Sequence, residues 1–384
     1  MANTLTNLIP TLYQAVDRVS REQIGMVPAV TLNASGANAA VNETITIPVT
    51  GAETAVDITA GLYAPDNGDV AVGNTTMTIS KSRMVPIRFT GEELKGLGNN
   101  GLADPILMDR FTQAFRTLSN EVEGDLAGLH TYASRAYGTA GTTPFASTIG
   151  DSAQVRKILE DNGQWVDGNM AMVFNSAVGA NLRTLGQLTK ANEAGSVENL
   201  RRGVIGDLNG FYLGQSGQIV TSTAGTGASA TTDNAGYAVG ATVITLASAG
   251  TGTILAGDVI TFAGDTNKYV VASGDADVSG GGTITLAAPG LKGAIGTSAT
   301  AITVIAAAGR NIAFEKSAIQ LITRAPAMPS GGDGADDVMN ITDPLSGITY
   351  QVAVYRQYRQ IKYEIGLAWG VKALKTEGIS LLLS

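Results

Sequence analysis

The amino-acid sequence predicts an α+β fold that carries an inserted small β-barrel domain, and three features support this prediction. The stretch from Asp104 to Gly138 has apolar residues at helical spacing over an unusual length. Runs with alternating apolar residues precede it, at 43–50 and 75–90. From about residue 221 to 306, short strand-like runs recur between glycine clusters, a pattern typical of a small barrel or sandwich.

Composition bounds the class of protein. The 384 residues can build a sizeable core and more than one domain, and hydrophobic residues at 44% indicate a globular chain. Charged residues make up only 15%, which suits a surface buried against other copies or a β-protein rich in small residues. A net charge of −8 disfavours a protein that coats nucleic acid but allows one that encloses it. Because cysteine is absent, disulfides and thiolate sites are excluded.

The N-terminal residues predict an amphipathic arm and no targeting segment. MANTLTNLIP lacks the features of a signal peptide, and no apolar run reaches the ~20 residues that span a membrane, so we expect folding in the cytoplasm. Within 4–27, apolar residues follow a helical stripe, which we expect to be loosened at Pro10 and ended near Pro28. A helix this short implies a partner surface, and Asp17 and Glu22 lie outside the apolar stripe.

The runs at 43–50 and 75–90 predict one long two-stranded hairpin, with turn residues such as Asp66 and Asp69 between them. Lys81 and Arg83 share one strand parity with the apolar residues of the second run. A lone hairpin is marginal in water, so we expect it to lie on a neighbouring molecule. Thr90–Glu93 (TGEE) predicts a capping box that starts a short helix.

The stretch after this short helix predicts a long spine helix. Asp104 is a good N-cap, Pro105 suits the first turn, and Gly138 is a plausible end, which gives a length of ~50 Å. The charged residues between its apolar positions, among them Glu121, Glu123 and Asp125, are expected on the water-facing side of this helix.

Mixed α and β elements follow the spine. We expect a helix at 151–163, a buried strand at 170–174, a helix capped by Asn175 to about 186, and Gly-punctuated strands at 203–220. The inserted module contributes strands at 241–248, 257–264, 268–273, 282–288 and 299–306. Residues from Arg310 onwards resume the α+β pattern and end in strands.

The sequence offers no catalytic, cofactor or metal site. His130 is the only histidine, so a catalytic triad or a His-based zinc site cannot be built. The GGDGAD loop at 331–336 resembles a single calcium-type turn, and such turns work in stacked arrays. The YRQYRQIKY segment at 355–363 mixes tyrosines with cations; stacking on single-stranded nucleic acid is one interpretation, and packing with intersubunit contacts is the favoured one.

The order of these elements resembles the major capsid proteins of tailed bacteriophages with the Hong Kong 97 fold, in particular coat proteins of the P-twenty-two type with an inserted β-domain. The segments that carry the resemblance are GDLNGFYLGQSGQIVTSTAGTG (206–227), LAGDVITFAG (255–264), NIAFEKSAIQLITRAPAMP (311–329) and the last strands at 347–384. The resemblance spans nearly the whole chain and depends on the order of elements more than on any single motif.

By this resemblance the chain divides as capsid proteins of the family do. The implied divisions are an N-terminal arm (1–40), an extended loop (41–92), the spine helix and peripheral domain (93–186), the first part of the axial domain (187–220), the inserted β-barrel (221–306), and the second axial part with the return strands (307–384). The resemblance implies hexamers and pentamers that close into an icosahedral shell around double-stranded DNA. A scaffolding protein and a portal protein are the implied partners, and the virion is the implied location.

Candidate contacts follow from the same resemblance. Lys81, Arg83, Asp66, Asp69 and Asp233 are candidate intersubunit contacts, and Asp17 and Glu22 are candidate scaffold contacts. In relatives an acidic loop of the inserted domain bridges capsomers, whereas the matching stretch at 225–237 holds only Asp233 as an acid. This departure argues against a charge-paired clasp. Two alternatives stay open: a nanocompartment shell protein of the same fold, and a β-rich surface-layer or adhesin protein.

Overall fold

The computed structural model describes residues 8–20, 25–49, 55, 57–58, 60, 73–99, 103–190, 206–219 and 221–384. The α-helices are α1 (Ile9–Ser20), α2 (Gly91–Asn99), α3 (Ala103–Gly128), α4 (Gly150–Asp161), α5 (Ser176–Thr184) and α6 (Gly186–Thr189). The strands are β1 (Thr31–Ala39), β2 (Thr44–Val49), β3 (Gly73–Thr78), β4 (Lys81–Thr90), β5 (Arg135–Tyr137), β6 (Met170–Phe174), β7 (Phe211–Gln215), β8 (Val243–Leu246), β9 (Val259–Phe262), β10 (Lys268–Ser273), β11 (Gly282–Leu286), β12 (Ile302–Val304), β13 (Arg310–Glu315), β14 (Ile319–Pro326), β15 (Asp337–Thr342), β16 (Thr349–Gln357), β17 (Gln360–Ala373) and β18 (Ile379–Leu383). The α+β prediction is confirmed.

A six-stranded sheet, in the order β1-β14-β17-β16-β15 with β4 also paired to β17, carries the long helix α3 on one face. Phe111 and Phe115 of α3 meet Tyr363 and Tyr350 of the sheet edge-to-face, with ring centroids 5.5 and 5.0 Å apart. Such pairs add to the burial of apolar area, which is the main source of stability at this layer. Helix α1 packs against α3 as well.

The N-terminal helix finds its partner surface within the same chain. Its apolar stripe is fully buried, including Leu12, Val16 and Val19, and it joins the core around α3. Pro10 lies in the first turn of α1 and does not loosen the helix, because a first-turn proline lacks only an N–H that would have had no partner within the helix. Residues 31–39, within the segment assigned to the arm, form the edge strand β1, parallel to β14.

The predicted hairpin is built differently from the expectation. Strand β2 pairs with β3, but the second run splits at residues 79–80, and β4 leaves the pair to join β17 over ten residue pairs. The amide of Ser80 donates to the carbonyl of Trp369 at 3.0 Å, where the chain passes from one sheet to the other. The unbroken alternation of apolar residues in this run did not reveal the split between β3 and β4. Met77 and Ile79 belong to one hydrophobic cluster, whereas Ile87 and Phe89 belong to another.

The spine helix is shorter than predicted. It spans 26 residues, or ~39 Å, and after Gly128 the chain continues as a 3₁₀ turn over Leu129–Tyr132 and then as β5. Strand β5 pairs with β18 on one side and with β10 on the other. Its backbone groups therefore form hydrogen bonds with two neighbouring strands, which a continued helix would not allow. The apolar spacing continued past Gly128 because Leu129 and Ala133 remain in the core.

A second, ten-stranded sheet runs β12-β9-β10-β5-β18-β13-β6-β7, with β11 and β8 attached through β10. Strand β6 is buried on both faces, as predicted: Met170, Met172 and Phe174 face α4 and α5, and the alternate residues face the core around α3. The Asn175 cap is confirmed, since its side-chain oxygen accepts from the amide of Val178 at 3.0 Å. The capping box at Thr90 and Glu93 is confirmed as well.

The strands β8 to β12 surround a hydrophobic cluster of their own, which we call the ring module (residues 228–304). The segment 231–232 bridges β12 and β8, at Thr231–Ala301 and Thr232–Leu246, and so completes the circuit of strands. The chain enters and leaves side by side, because Thr221 bridges Gly309. Strand β10 also pairs with β5, so β10 joins the ring module to the rest of the ten-stranded sheet.

The end of the β2–β3 hairpin at Thr44 and Thr78, which we call the hairpin root, lies against Gly370 of β17. A Cβ atom at Gly370 would stand 2.1 Å from the carbonyl oxygen of Thr78, so only glycine permits this approach. The hairpin root is held here by apolar packing of Met77 and Ile79 on Ile322 and Ala368. The face of the sheet opposite α3 is therefore covered by the hairpin root.

We expect Gly370→Ala to lower the free energy of unfolding by about 1–3 kcal/mol, because backbone and not a flexible side chain meets the new methyl group. Chemical denaturation and limited proteolysis between β2 and β3 measure the effect. Gly296→Ala is the matched control, since a Cβ there meets nothing within 4 Å. Equal stability of the two variants would contradict the close approach as the hairpin's constraint.

Candidate assembly site on the long helix

Three carboxylates on the C-terminal half of α3, which we call the acidic triplet, face three different elements. They are Glu121, Glu123 and Asp125, spaced two residues apart along the helix. Glu121 faces Arg83 of β4, Glu123 faces the segment after α1, and Asp125 faces Lys81 and Trp369. The triplet therefore joins the N-terminal segment and two strands of the six-stranded sheet, β4 and β17, to a single helix.

Glu123 is the buried member of the triplet, with 1% of its surface exposed. Its Oε1 accepts from the amides of Met26 and Val27, each at 2.8 Å, and its Oε2 accepts from the hydroxyl of Ser216 at 2.6 Å. The two amides begin a short 3₁₀ turn over Val27–Ala29, where backbone N–H groups need an outside acceptor. A carboxylate in this position satisfies them and connects three distant segments.

Burial raises the pKa of the Glu123 carboxyl, and hydrogen bonds from Ser216, Val27 and Met26 oppose this shift. The prediction that Glu123 lies on the water-facing side of α3 was wrong. The helical stripe could not reveal its burial, because the partners come from segments about 90 residues away in sequence. A hint lay in the partner segment, where Met26–Val27–Pro28 begins a short turn whose first backbone amides have no side-chain cap of their own.

Lys81 forms an ion pair with Asp125, with 2.7 Å between Nζ and Oδ1. The other carboxylate oxygen of Asp125 accepts from the indole N–H of Trp369 at 2.8 Å, and the lysine ammonium lies 5.9 Å from the indole ring centre. Trp369 itself is fully buried, so its N–H needs this acceptor. The arrangement fixes the first residue of β4 where it leaves the hairpin root.

Arg83 lies two residues further along β4, with its Nε 3.7 Å from Glu121 Oε2; the arginine side chain is largely exposed and the glutamate is partly exposed. Exposed pairs at this distance contribute little to stability. Lys81 and Arg83 thus have intrachain partners on α3. Their proposed role between subunits stays a prediction.

The other candidate contacts are spread over the molecule. Asp66, Asp69 and Glu22 lie outside the described residues. Asp17 is half-buried on α1, one residue before Arg18, which pairs with Asp109 at 3.3 Å. In the ring module, the carboxylate of Asp233 accepts from the hydroxyl of Tyr237 at 2.7 Å and closes its own loop.

The tyrosine-rich segment divides between core and tip. Tyr363 packs on Phe111, whereas Tyr358 is 87% exposed at the turn between β16 and β17, beside Arg359. Tyr355 donates to Asp333, and the amide of Arg356 donates to Asp336 at 2.7 Å. Both residues are therefore hydrogen-bonded to the glycine-rich loop at 331–336. The packing expected for this segment is confirmed for Tyr363, and intersubunit contacts through the segment stay a prediction.

His130 sits in the 3₁₀ turn after α3, with Nδ1 3.0 Å from the carbonyl oxygen of Ala127. Burial lowers the pKa of His130. In the part of the chain that the structure describes, no group of three or more His, Asp or Glu side chains is placed to hold a metal ion. No described helix is both long and apolar enough to cross a membrane.

We expect the stability contributed by Glu123 to rise as the pH falls. Because its folded-state pKa lies above the unfolded value of about 4.3, the folded chain binds this proton more tightly, and the contribution declines as the pH rises through the folded pKa. The Glu123→Gln variant should lack this slope. Thermal unfolding between about pH 5 and pH 7.5 measures it for both proteins. Glu92→Gln, on the exposed face of α2, is the control and should keep the slope of the parent chain.

We expect the Lys81–Asp125 pair to contribute about 0.5–1 kcal/mol within one chain, since both side chains are partly exposed. A double-mutant cycle with Lys81→Met and Asp125→Asn on the unassembled protein measures the coupling. No coupling there, together with defective association of the Lys81→Met variant, would instead favour a role for Lys81 between subunits.

Comparisons with known proteins give similarities only among solved structures. No protein-family model matches the chain, and no curated protein matches it. A structure from Mycobacterium phage Che8 is 13% identical with a TM-score of 0.45, over 89% of this chain and 84% of that one. The capsid of cyanophage P-SCSP1u is 8% identical with a TM-score of 0.46, over 92% and 86%. A virus-like particle from Pyrococcus furiosus is 9% identical with a TM-score of 0.42, over 97% and 98%.

These structures come from two phages and from a virus-like particle. Because the identities are 8–13% and the TM-scores are below 0.5, these similarities carry no argument about function. The functional proposal depends on the contacts within this chain.

Proposed function

We propose that the protein is the subunit of a self-assembling icosahedral shell, the major capsid protein of a tailed double-stranded DNA bacteriophage. The observation that carries this proposal is the β2–β3 hairpin. It forms a sheet of two strands that pair only with each other among the described residues. Two-stranded sheets are marginally stable in water unless a further surface covers them.

Among the described residues, the cover of the hairpin by its own chain lessens with distance from the root, although Ile45 and Ile47 still pack on the sheet and Lys372 reaches Thr75. Near the root, Met77 and Ile79 are buried and Gly370 allows close backbone contact. Towards the other end, Pro48 and Asn74 are exposed, and Ile47 is only half-buried. A second surface is therefore needed beyond the root, and another copy of the chain supplies it in a shell.

The acidic triplet supports the same function, because it ties the element that carries the hairpin to the spine. Strand β4 continues directly from the hairpin and is bound to α3 by Lys81–Asp125 and Arg83–Glu121. The hairpin thus starts from a fixed base and reaches a neighbour in one defined direction. This is the property that a repeating contact in a closed shell requires.

The finer assignments belong to this proposal. The ring module, whose chain ends meet at Thr221 and Gly309, supports an inserted β-barrel domain between two parts of an axial domain. Hexamers and pentamers would form through the extended loop, with Asp66, Asp69, Lys81, Arg83 and Asp233 as contacts. Asp17 and Glu22 would meet a scaffolding protein, and a portal protein would complete the shell. The protein would assemble in the bacterial cytoplasm and enclose DNA without an enzymatic role.

Electron microscopy of the full chain expressed in bacteria, alone and with a candidate scaffold gene, tests the proposal. We expect closed shells of uniform size, at least with the scaffold. A variant in which Asn-Gly replaces residues 50–72 keeps the Val49–Gly73 pairing and removes the segment between the two strands. This variant should remain folded and fail to close shells.

Thermal unfolding of the truncated hairpin variant is the control for folding. A monodisperse small oligomer from the parent chain under both conditions would overturn the shell proposal and favour a β-rich binding protein. Shells that close normally without residues 50–72 would overturn the role of the hairpin. Shells that enclose a specific protein instead of DNA would identify a nanocompartment.

A further inference from the structure

A crevice of about 210 Å³ lies between α4, β5 and the turn before β10, apart from the acidic triplet and the hairpin. Its lining is rich in cations, with Arg135 from β5, Lys157 from α4 and Lys268 from β10. Lys292 adjoins the crevice, since its Nζ donates to the carbonyl of Asp161 at 2.8 Å. Four cationic side chains in one place are unusual in a chain of net charge −8.

The facing carboxylates only partly neutralise these cations. Asp161 Oδ2 lies 3.6 Å from Arg135 Nη2, and Asp161 is 42% exposed. Asp265 is held by the hydroxyl of Tyr269 and by Asn267, at 2.6–2.8 Å. No carboxylate of the described chain lies within ion-pair distance of Lys157 or Lys268, so positive charge is left over in the crevice.

Part of this cationic cluster has a structural role. The Nη2 atom of Arg135 donates to the carbonyl of Ile158 at 3.2 Å, and together with Lys292 it satisfies carbonyls at the end of α4. Arg135 also donates to the side-chain oxygens of Asn162 and Asn267, at 3.0 and 3.2 Å. The side chain of Arg135 is 4% exposed, yet its Nε has no hydrogen-bond partner among the described residues. That nitrogen has almost no accessible surface, so the guanidinium adds positive charge beside the crevice but Nε does not itself contact an anion bound there.

Lys268 has a single hydrogen bond, to the carbonyl of Gly138, and no counter-ion in the described part of the chain. Burial lowers the pKa of Lys268, because its ammonium is partly removed from water. Lys268 also borders a second crevice of about 310 Å³ lined by hydroxyl groups, including Thr139, Ser147 and Thr148. Cations and hydroxyls side by side are the donors that a phosphate oxyanion accepts from.

We propose that the crevice between Arg135, Lys157 and Lys268 is a binding site for a phosphate oxyanion. Its volume equals that of roughly seven waters at ~30 Å³ each, which is ample for one tetrahedral oxyanion and its water. The phosphate comes either from free phosphate in solution or from a nucleic-acid backbone. The site does not depend on the shell proposal, and either can fail without the other.

Titration of the full-length protein with inorganic phosphate, followed by phosphorus NMR or calorimetry, tests the site. We expect saturable binding that Lys157→Gln weakens at least about threefold, since the exposed Lys157 loses one charged contact while the fold is kept. Lys268→Gln should weaken it further. Lys95→Gln, an exposed lysine of α2, removes the same charge elsewhere and should leave the affinity unchanged.

A short DNA duplex, titrated by fluorescence anisotropy, distinguishes the two sources of phosphate. Binding of DNA that phosphate competes for and that Lys157→Gln weakens would identify the backbone as the source. Binding of phosphate without binding of DNA would identify the free ion. The proposal is overturned if neither ligand binds, or if Lys95→Gln weakens binding as much as Lys157→Gln.

Discussion

The buried carboxylate of Glu123 is the interaction on which the rest of the structure depends. It holds the turn after α1 and the loop after β7 to the C-terminal half of α3, so two segments that are distant in sequence meet at one side chain. Hydrogen bonds to a charged acceptor are stronger than neutral ones, and here no water competes. Removing the acceptor would leave two backbone amides buried and unsatisfied, which makes this contact hard to replace.

The elements that could be predicted are those whose signals are local. The capping box at Thr90 and Glu93, the Asn175 cap and the all-apolar strand β6 each depend on neighbouring residues, and each is present. The strands of the ring module were also predictable, because alternation between glycine clusters leaves little choice of secondary structure. Local physics dominated at these positions.

Long-range pairing decided the features that were missed. The end of α3 at Gly128 and the split between β3 and β4 were both set by strands hundreds of residues later, β18 and β17. The intrachain partners of Lys81 and Arg83 could not be identified from sequence either, since a strand parity shows which side a residue faces but not what covers it. For the same reason the burial of Glu123 escaped the helical pattern.

Strand β10 has a mechanical consequence for the ring module. It pairs with β9 and β11 inside the ring and with β5 outside it, and β5 in turn pairs with β18. A pull on the ring therefore loads the β10–β5 hydrogen bonds, and swinging the ring as a free lever would require breaking them. Force on the ring module therefore reaches β5 and β18 of the ten-stranded sheet directly.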